Sequence, residues 1–222
     1  MSRKTLLIVG VAVLAVLGAV AWYFLSGSPA TTMDTAASAQ GYEILPTDRT
    51  LGNPKSKVVL IEYAAPSCPV CAAFNAQSFG RLKTQYIDTG KIFYVFRVFP
   101  LRPDDGAAEK IARCLPEDKY FDFIDLLFRN QPQWDVEYGV TDVHGGLVRL
   151  GRIAGMSAAQ VDQCIANKAE DERINKVAAD AEAKYNITGT PTFILNGVSQ
   201  GSGNIPFEAI SKLLDKALAE KK

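Results

Sequence analysis

Hydrophobic positions change their spacing several times along the chain, and each change marks a new element. From Leu6 to Leu25 the stretch LLIVGVAVLAVLGAVAWYFL carries no charge. As a helix it is about 30 Å long, the thickness of a bilayer's hydrocarbon core. Arg3 and Lys4 precede it, which orients the N-terminus to the cytoplasm, and Trp22 and Tyr23 fall at the far interface. Residues 1–25 therefore read as a single uncleaved transmembrane anchor. The alternative is a cleaved signal sequence ending near Ala37-Ser38-Ala39, but signal cores run only about 7–15 residues. On either reading the remainder of the chain is exported. Residues 26–41 (SGSPATTMDTAASAQG) are small and polar and read as a flexible linker.

The pattern from residue 42 to 222 predicts one α/β domain. Lys57–Tyr63 (KVVLIEY) is a β-branched apolar run, a buried strand. Helical spacing comes next in AAFNAQSFGRLKTQYI, and Lys91–Phe99 (KIFYVFRVF) is a second strand, stopped by Pro100. A strand, a helix and a strand in this order make a parallel βαβ unit. Helical patterns then occupy Gly106–Leu115, Lys119–Arg129, Asp142–Ala154, Ser157–Lys168 and Ala169–Tyr185, with Ser157 and Gln160 spaced as a capping box. Strand character returns at Pro191–Leu195, turns at Asn196-Gly197, and continues near Val198–Gln200. Pro206 opens a last amphipathic helix. The expected architecture is a small mixed sheet in two halves, with a helical insertion at about 104–185 between them.

Composition narrows the chemistry. The 24 basic and 24 acidic residues cancel, so no global field recommends nucleic acid or an anionic surface. Four cysteines are present, Cys68, Cys71, Cys114 and Cys164, with one histidine, His144. A zinc site commonly uses two close ligand pairs. Here only Cys68 and Cys71 are close and His144 is isolated, which argues against a metal and leaves His144 as a solvated or capping residue. A CxxC at a helix start has another use. Unpaired backbone N–H groups and the helix dipole favour a thiolate at Cys68, and a stable thiolate is a good leaving group. Pro69 suits the first helical position, and Cys71 lies one turn deeper, where a resolving thiol belongs. An inert staple is the competing reading, but so short a loop removes little unfolded-state entropy. For Cys114 and Cys164 the weighting inverts. They sit in amphipathic segments, and an even cysteine count in an exported domain favours a structural disulfide over two free thiols.

The strand, the SCPVC segment, and the distant Gly189-Thr190-Pro191-Thr192-Phe193 before a strand resemble a thioredoxin-fold oxidoreductase. With the helical insertion the chain is similar to the DsbA family, in particular its membrane-anchored bacterial members, over roughly residues 42–220. The resemblance implies that Cys68 is the nucleophile and Cys71 the resolving partner of a redox-active disulfide. It implies a cis-proline at Pro191, with Thr190 before it, where a substrate peptide would lie along a strand edge. Glu62, six residues before Cys68, matches a buried acid that assists proton transfer at the resolving cysteine. It also implies exported cysteine-containing proteins as substrates, a DsbB-like quinone-linked membrane reoxidant, attachment to the inner membrane through residues 6–25 facing the periplasm, a monomer, and no dissociable cofactor or metal. One departure matters: Val70 stands where the strong oxidases of the family carry histidine, and offers the thiolate neither charge nor hydrogen bond. An isomerase or a reductase of specific clients is the alternative within the enzyme class. A membrane-tethered peptide-binding chaperone is the alternative outside it.

Overall fold

A computed structural model describes residues 41–220. The predicted anchor at 6–25 and nearly all of the linker lie outside these residues. Within them, no helix is long and apolar enough to cross a membrane.

Five strands form one mixed sheet: β1 (Arg49–Gly52), β2 (Val59–Ala64), β3 (Phe93–Val98), β4 (Thr192–Leu195) and β5 (Val198–Ser202). Their order is β1-β3-β2-β4-β5. The central pair β2 and β3 is parallel, and the outer pairings are antiparallel. β1 went unseen in the sequence because RTLG holds a single large apolar residue and draws its stability from pairing with β3. The long helix α1 (residues 69–87) fills the crossover from β2 to β3, and π turns at Asn75–Phe79 and Lys83–Ile87 interrupt it.

All six side chains of β2, and all six of β3, are buried. Both sheet faces are therefore covered, which is why these strands read as continuous apolar runs rather than alternating ones. On one face Leu60, Tyr94, Phe96 and Phe193 pack with Phe74 of α1 and with Phe207, Ile210 and Leu214 of α8 (Phe207–Glu220). The other face carries Tyr63, which meets the ring of Tyr185 at 6.2 Å from α7 (Lys168–Tyr185). Arg97 lies buried on that second face, donating to both Asp48 oxygens (2.8 and 2.7 Å), to the Tyr63 hydroxyl and to the Glu43 carbonyl. It ties the segment entering the domain onto the sheet.

Between β3 and α7 run α2 (Pro103–Cys114), α3 (Tyr120–Arg129), the short α4 (Gln131–Trp134), α5 (Val143–Ile153) and α6 (Ala158–Ile165). α4 was not anticipated, since a single turn carries no periodicity. The break between α6 and α7 falls at Asn167, whose side chain accepts from the amides of Ala169 and Glu170. α6 begins at the capping box read from the sequence, Ser157 and Gln160 bonding reciprocally. α7 closes the helical run but packs against the sheet, because Ile174, Val177 and Ala181 give it a buried stripe there.

Candidate active site

β2 ends at Ala64, and the chain turns through Ala65-Pro66-Ser67 before α1 begins at Pro69. Cys68 is the N-cap of that helix, in extended conformation, and its sulfur accepts from the amide of Cys71 at 3.3 Å. A sulfur in this place takes up a donor the first helical turn leaves unpaired, and the bond is stronger to a thiolate than to a thiol. Both cysteines are free thiols. Cys68 is 5% exposed and Cys71 completely buried. Pro69 and Val70 between them face solvent.

The electrostatics separate the two thiols. A hydrogen bond from the Cys71 thiol, helped by the Thr190 hydroxyl and the amides of Cys71 and Val70, overrides burial and lowers Cys68 to about 6. Burial first, then the neighbouring Cys68 and the Glu62 charge, push Cys71 well above the ordinary thiol range. One sulfur is thus a thiolate near neutral pH while its neighbour stays protonated.

Thr190 and Pro191 come to this pair from β4's leading end, some 120 residues away in sequence. The Thr190–Pro191 peptide bond is cis. The Thr190 carbonyl lies 3.3 Å from the Cys68 sulfur. Its buried hydroxyl has no partner of regular geometry, yet it is close enough to both sulfurs to favour their ionised forms. Glu62 is 2% exposed, in the middle of the sheet rather than at a solvent-reaching strand end. Desolvation raises its carboxyl to about 8, opposed by a 2.7 Å hydrogen bond from the Tyr94 hydroxyl and reinforced by Cys68.

The helical segment holds the active-site turn from outside. Asp105, at the start of α2, accepts from the amide of Ser67 at 2.7 Å with one oxygen and from those of Leu101 and Arg102 with the other. Gln131 of α4 donates to the carbonyls of Pro66 (2.8 Å) and Cys68 (3.0 Å). Neither residue, nor Tyr94, was anticipated. Pro103 followed by acids does announce a helix start, but nothing local says that its carboxylate also serves a turn 38 residues upstream.

Cys114 and Cys164 are bonded to each other, α2 to α6, far in sequence from the free pair. His144 is exposed, with Nε2 2.8 Å from Asp162 Oδ1, and takes no part in this site. No group of three or more potential metal ligands occurs among the described residues.

A family model described as Thioredoxin matches residues 45–216. The chain belongs to the thioredoxin family. A Rickettsia felis protein provisionally named a protein-disulfide oxidoreductase is 34% identical over 183 residues, 82% of this chain. The chain spans less than two thirds, 64%, of that relative's length. The disulfide bond formation protein D of Bacillus subtilis is 26% identical over 156 residues, 66% of each chain. Among solved structures, alpha-DsbA1 of Wolbachia pipientis superposes with a TM-score of 0.73 at 30% identity, covering 80% of this chain and 94% of that one. The relatives and structural neighbours of this thioredoxin-fold chain, helical insertion included, are DsbA-type protein-disulfide oxidoreductases.

Proposed function

We propose that this chain is a protein thiol–disulfide oxidoreductase that passes its Cys68–Cys71 disulfide to cysteine-containing exported proteins. The observation that carries the reading is the split between a Cys68 thiol lowered to about 6 and a Cys71 thiol held high and buried beside it. In the oxidised enzyme a client thiolate attacks Cys68. The Cys68–Cys71 bond breaks, its electron pair leaves on Cys71, and that sulfur takes a proton to become the buried thiol. A second client thiolate then attacks the client sulfur of the mixed disulfide. Cys68 departs as a thiolate, and the client carries the new disulfide.

A low nucleophile pKa stabilises the reduced enzyme and so makes the disulfide the stronger oxidant. This favours an oxidase over a reductase or an isomerase. Val70 supplies no charge to the thiolate, which tempers the strength. The expected potential lies between thioredoxin's, about −270 mV, and that of the strongest oxidase of the type, about −120 mV. In this reading residues 6–25 tether a monomeric enzyme to the bacterial inner membrane, the domain faces the periplasm, and a DsbB-like quinone-linked membrane protein reoxidises it. The apolar length of that segment, with Arg3 and Lys4 before it, supports the tether.

Equilibration with glutathione buffers tests the proposal. A potential near −270 mV overturns the oxidase reading in favour of a reductase. Replacing Cys68 with serine discriminates the chaperone alternative, because a chaperone would keep its effect on client folding without the thiol.

A further inference from the structure

Glu62 has a partner that its place in the sheet explains. In the parallel register Glu62 stands opposite Phe96, so Tyr94 lies two residues back on the same face of β3. From there the Tyr94 hydroxyl donates to Glu62 Oε2 at 2.7 Å. Its ring is fixed between Phe79 of α1 at 5.4 Å and Phe121 of α3 at 6.2 Å. The phenol is completely buried, so no water competes for the bond.

The partner is a neutral phenol and not a cation, and that decides what the carboxyl can do. A buried ammonium or guanidinium would pin Glu62 as a carboxylate. A phenol accommodates the protonated acid, yet binds the ionised form more strongly, because a hydrogen bond to a charged acceptor is about twice as strong as a neutral one. Its help therefore grows at the moment the proton leaves.

We propose that Tyr94 is a positioning residue for proton delivery to Cys71: its hydroxyl orients the Glu62 carboxyl and stabilises the carboxylate left when Glu62 gives up its proton. The inference rests on the oxidoreductase reading and deepens it. The client thiolate forms a bond to Cys68, the Cys68–Cys71 bond breaks, the Glu62 proton moves to the Cys71 sulfur, and Glu62 is left ionised. Charge is conserved, one anion entering with the client and one remaining on Glu62. Glu62 is hydrogen-bonded by Tyr94 from β3 and interacts electrostatically with Cys68 and Cys71 at the start of α1. Beyond Tyr94, the Tyr120 hydroxyl of α3 is engaged by Glu109 of α2 at 2.6 Å. Burial and the adjoining Glu62 hold Tyr94's own acidity far above neutrality, so it remains a donor throughout.

The test uses the full chain with an oxidised Cys68–Cys71 pair and a small dithiol as reductant, following the exchange rate from pH 5 to 10. Wild type, Tyr94→Phe, Glu62→Gln and the double variant are compared. Tyr94→Phe is expected to move the pH limb where Glu62 loses its proton upward by about one unit, a tenfold change in the ionisation constant. It should slow exchange below that limb by about threefold. In the Glu62→Gln background the Tyr94 substitution should change nothing. Incorporating 3-fluorotyrosine at position 94, a stronger donor that keeps the ring, should move the limb down instead. A Tyr94→Phe profile superimposable on wild type overturns the inference, as does equal slowing with and without Glu62, while the oxidoreductase reading survives both. A wild-type chain that exchanges no disulfide overturns both.

Discussion

Two cysteine pairs lie in one domain and have opposite surroundings. Cys68 and Cys71 are three positions apart at a helix start, where backbone donors, the Thr190 hydroxyl and a buried acid act on the sulfurs. Cys114 and Cys164 are separated by 50 residues and bridge α2 to α6, with Cys164 in the apolar core and Cys114 exposed. Short spacing makes the first pair a poor staple but puts one sulfur where its charge is stabilised. Long spacing makes the second a good staple, and both sulfurs sit at the C-terminal ends of their helices, where the dipole disfavours a thiolate. Whether a disulfide is chemistry or architecture depends on the groups that face the sulfur, and both answers coexist on the same fold.

The largest break in this comparison comes from exchanging the roles. Cys68→Ser should reduce dithiol exchange to the assay background while leaving the unfolding midpoint within a few degrees. Replacing Cys114 and Cys164 together with serine should do the reverse. Loop closure over 50 residues corresponds to about 4 kcal/mol of stability, while the exchange activity persists. Loss of exchange in the second variant, with the fold intact by circular dichroism, would erase the distinction between the two pairs.

Glu62 belongs to the first pair alone, and its cost can be measured. Its folded pKa is raised, so the stability it allows is fully present below the unfolded value, near 4.5, and is lost as pH rises through about 8. Removing the charge should therefore stabilise the domain at neutral and basic pH. Glu62→Gln is expected to match wild type in urea unfolding at pH 4 and to exceed it by on the order of 3 kcal/mol at pH 7. A variant equally stable at both pH values would mean that Glu62 is not desolvated.

The difference between the pairs was partly legible in the sequence. The CxxC, the apolar strand before it and Pro69 at the first helical position are local signals, and they carried the redox reading of Cys68 and Cys71. The even cysteine count carried only a preference for pairing Cys114 with Cys164. Thr190 and Pro191 had meaning only through resemblance, because their approach to Cys68 is made by β2 pairing with β4 across the sheet. Tyr94, Asp105 and Gln131 were not legible. Each acts through a non-local register or a helix packed from the insertion, and one sequence holds no period that reports such contacts. β1 was missed for a related reason: pairing, and not composition, makes it a strand.

A smaller change sharpens the first pair by adding what its spacer lacks. Val70 is 41% exposed beside the Cys68 sulfur. Val70→His would set an imidazolium near the thiolate and lower the Cys68 pKa further, by about one unit, making the potential about 30 mV more oxidising. The added effect should shrink in high salt, since the site is open to solvent on that side. Salt independence would point to a hydrogen bond instead of charge.

The smallest expected effect isolates Thr190. Its hydroxyl helps hold Cys68 low, so Thr190→Val, which keeps the shape and removes the donor, should raise the Cys68 pKa by about half a unit. The depressed pKa fixes the sign of the linked change. Ionisation stabilises the reduced fold fully above the unfolded thiol's value, about 8.5, and this is lost as pH falls through about 6. Weakening it makes the reduced form less favourable at pH 8, so the disulfide becomes a poorer oxidant by about 15 mV. At pH 4.5 Cys68 is protonated with or without the hydroxyl, and the two potentials should converge. Potentials measured at both pH values separate the causes, because an offset that persists at pH 4.5 assigns the effect of Thr190 to packing against the disulfide rather than to the thiolate.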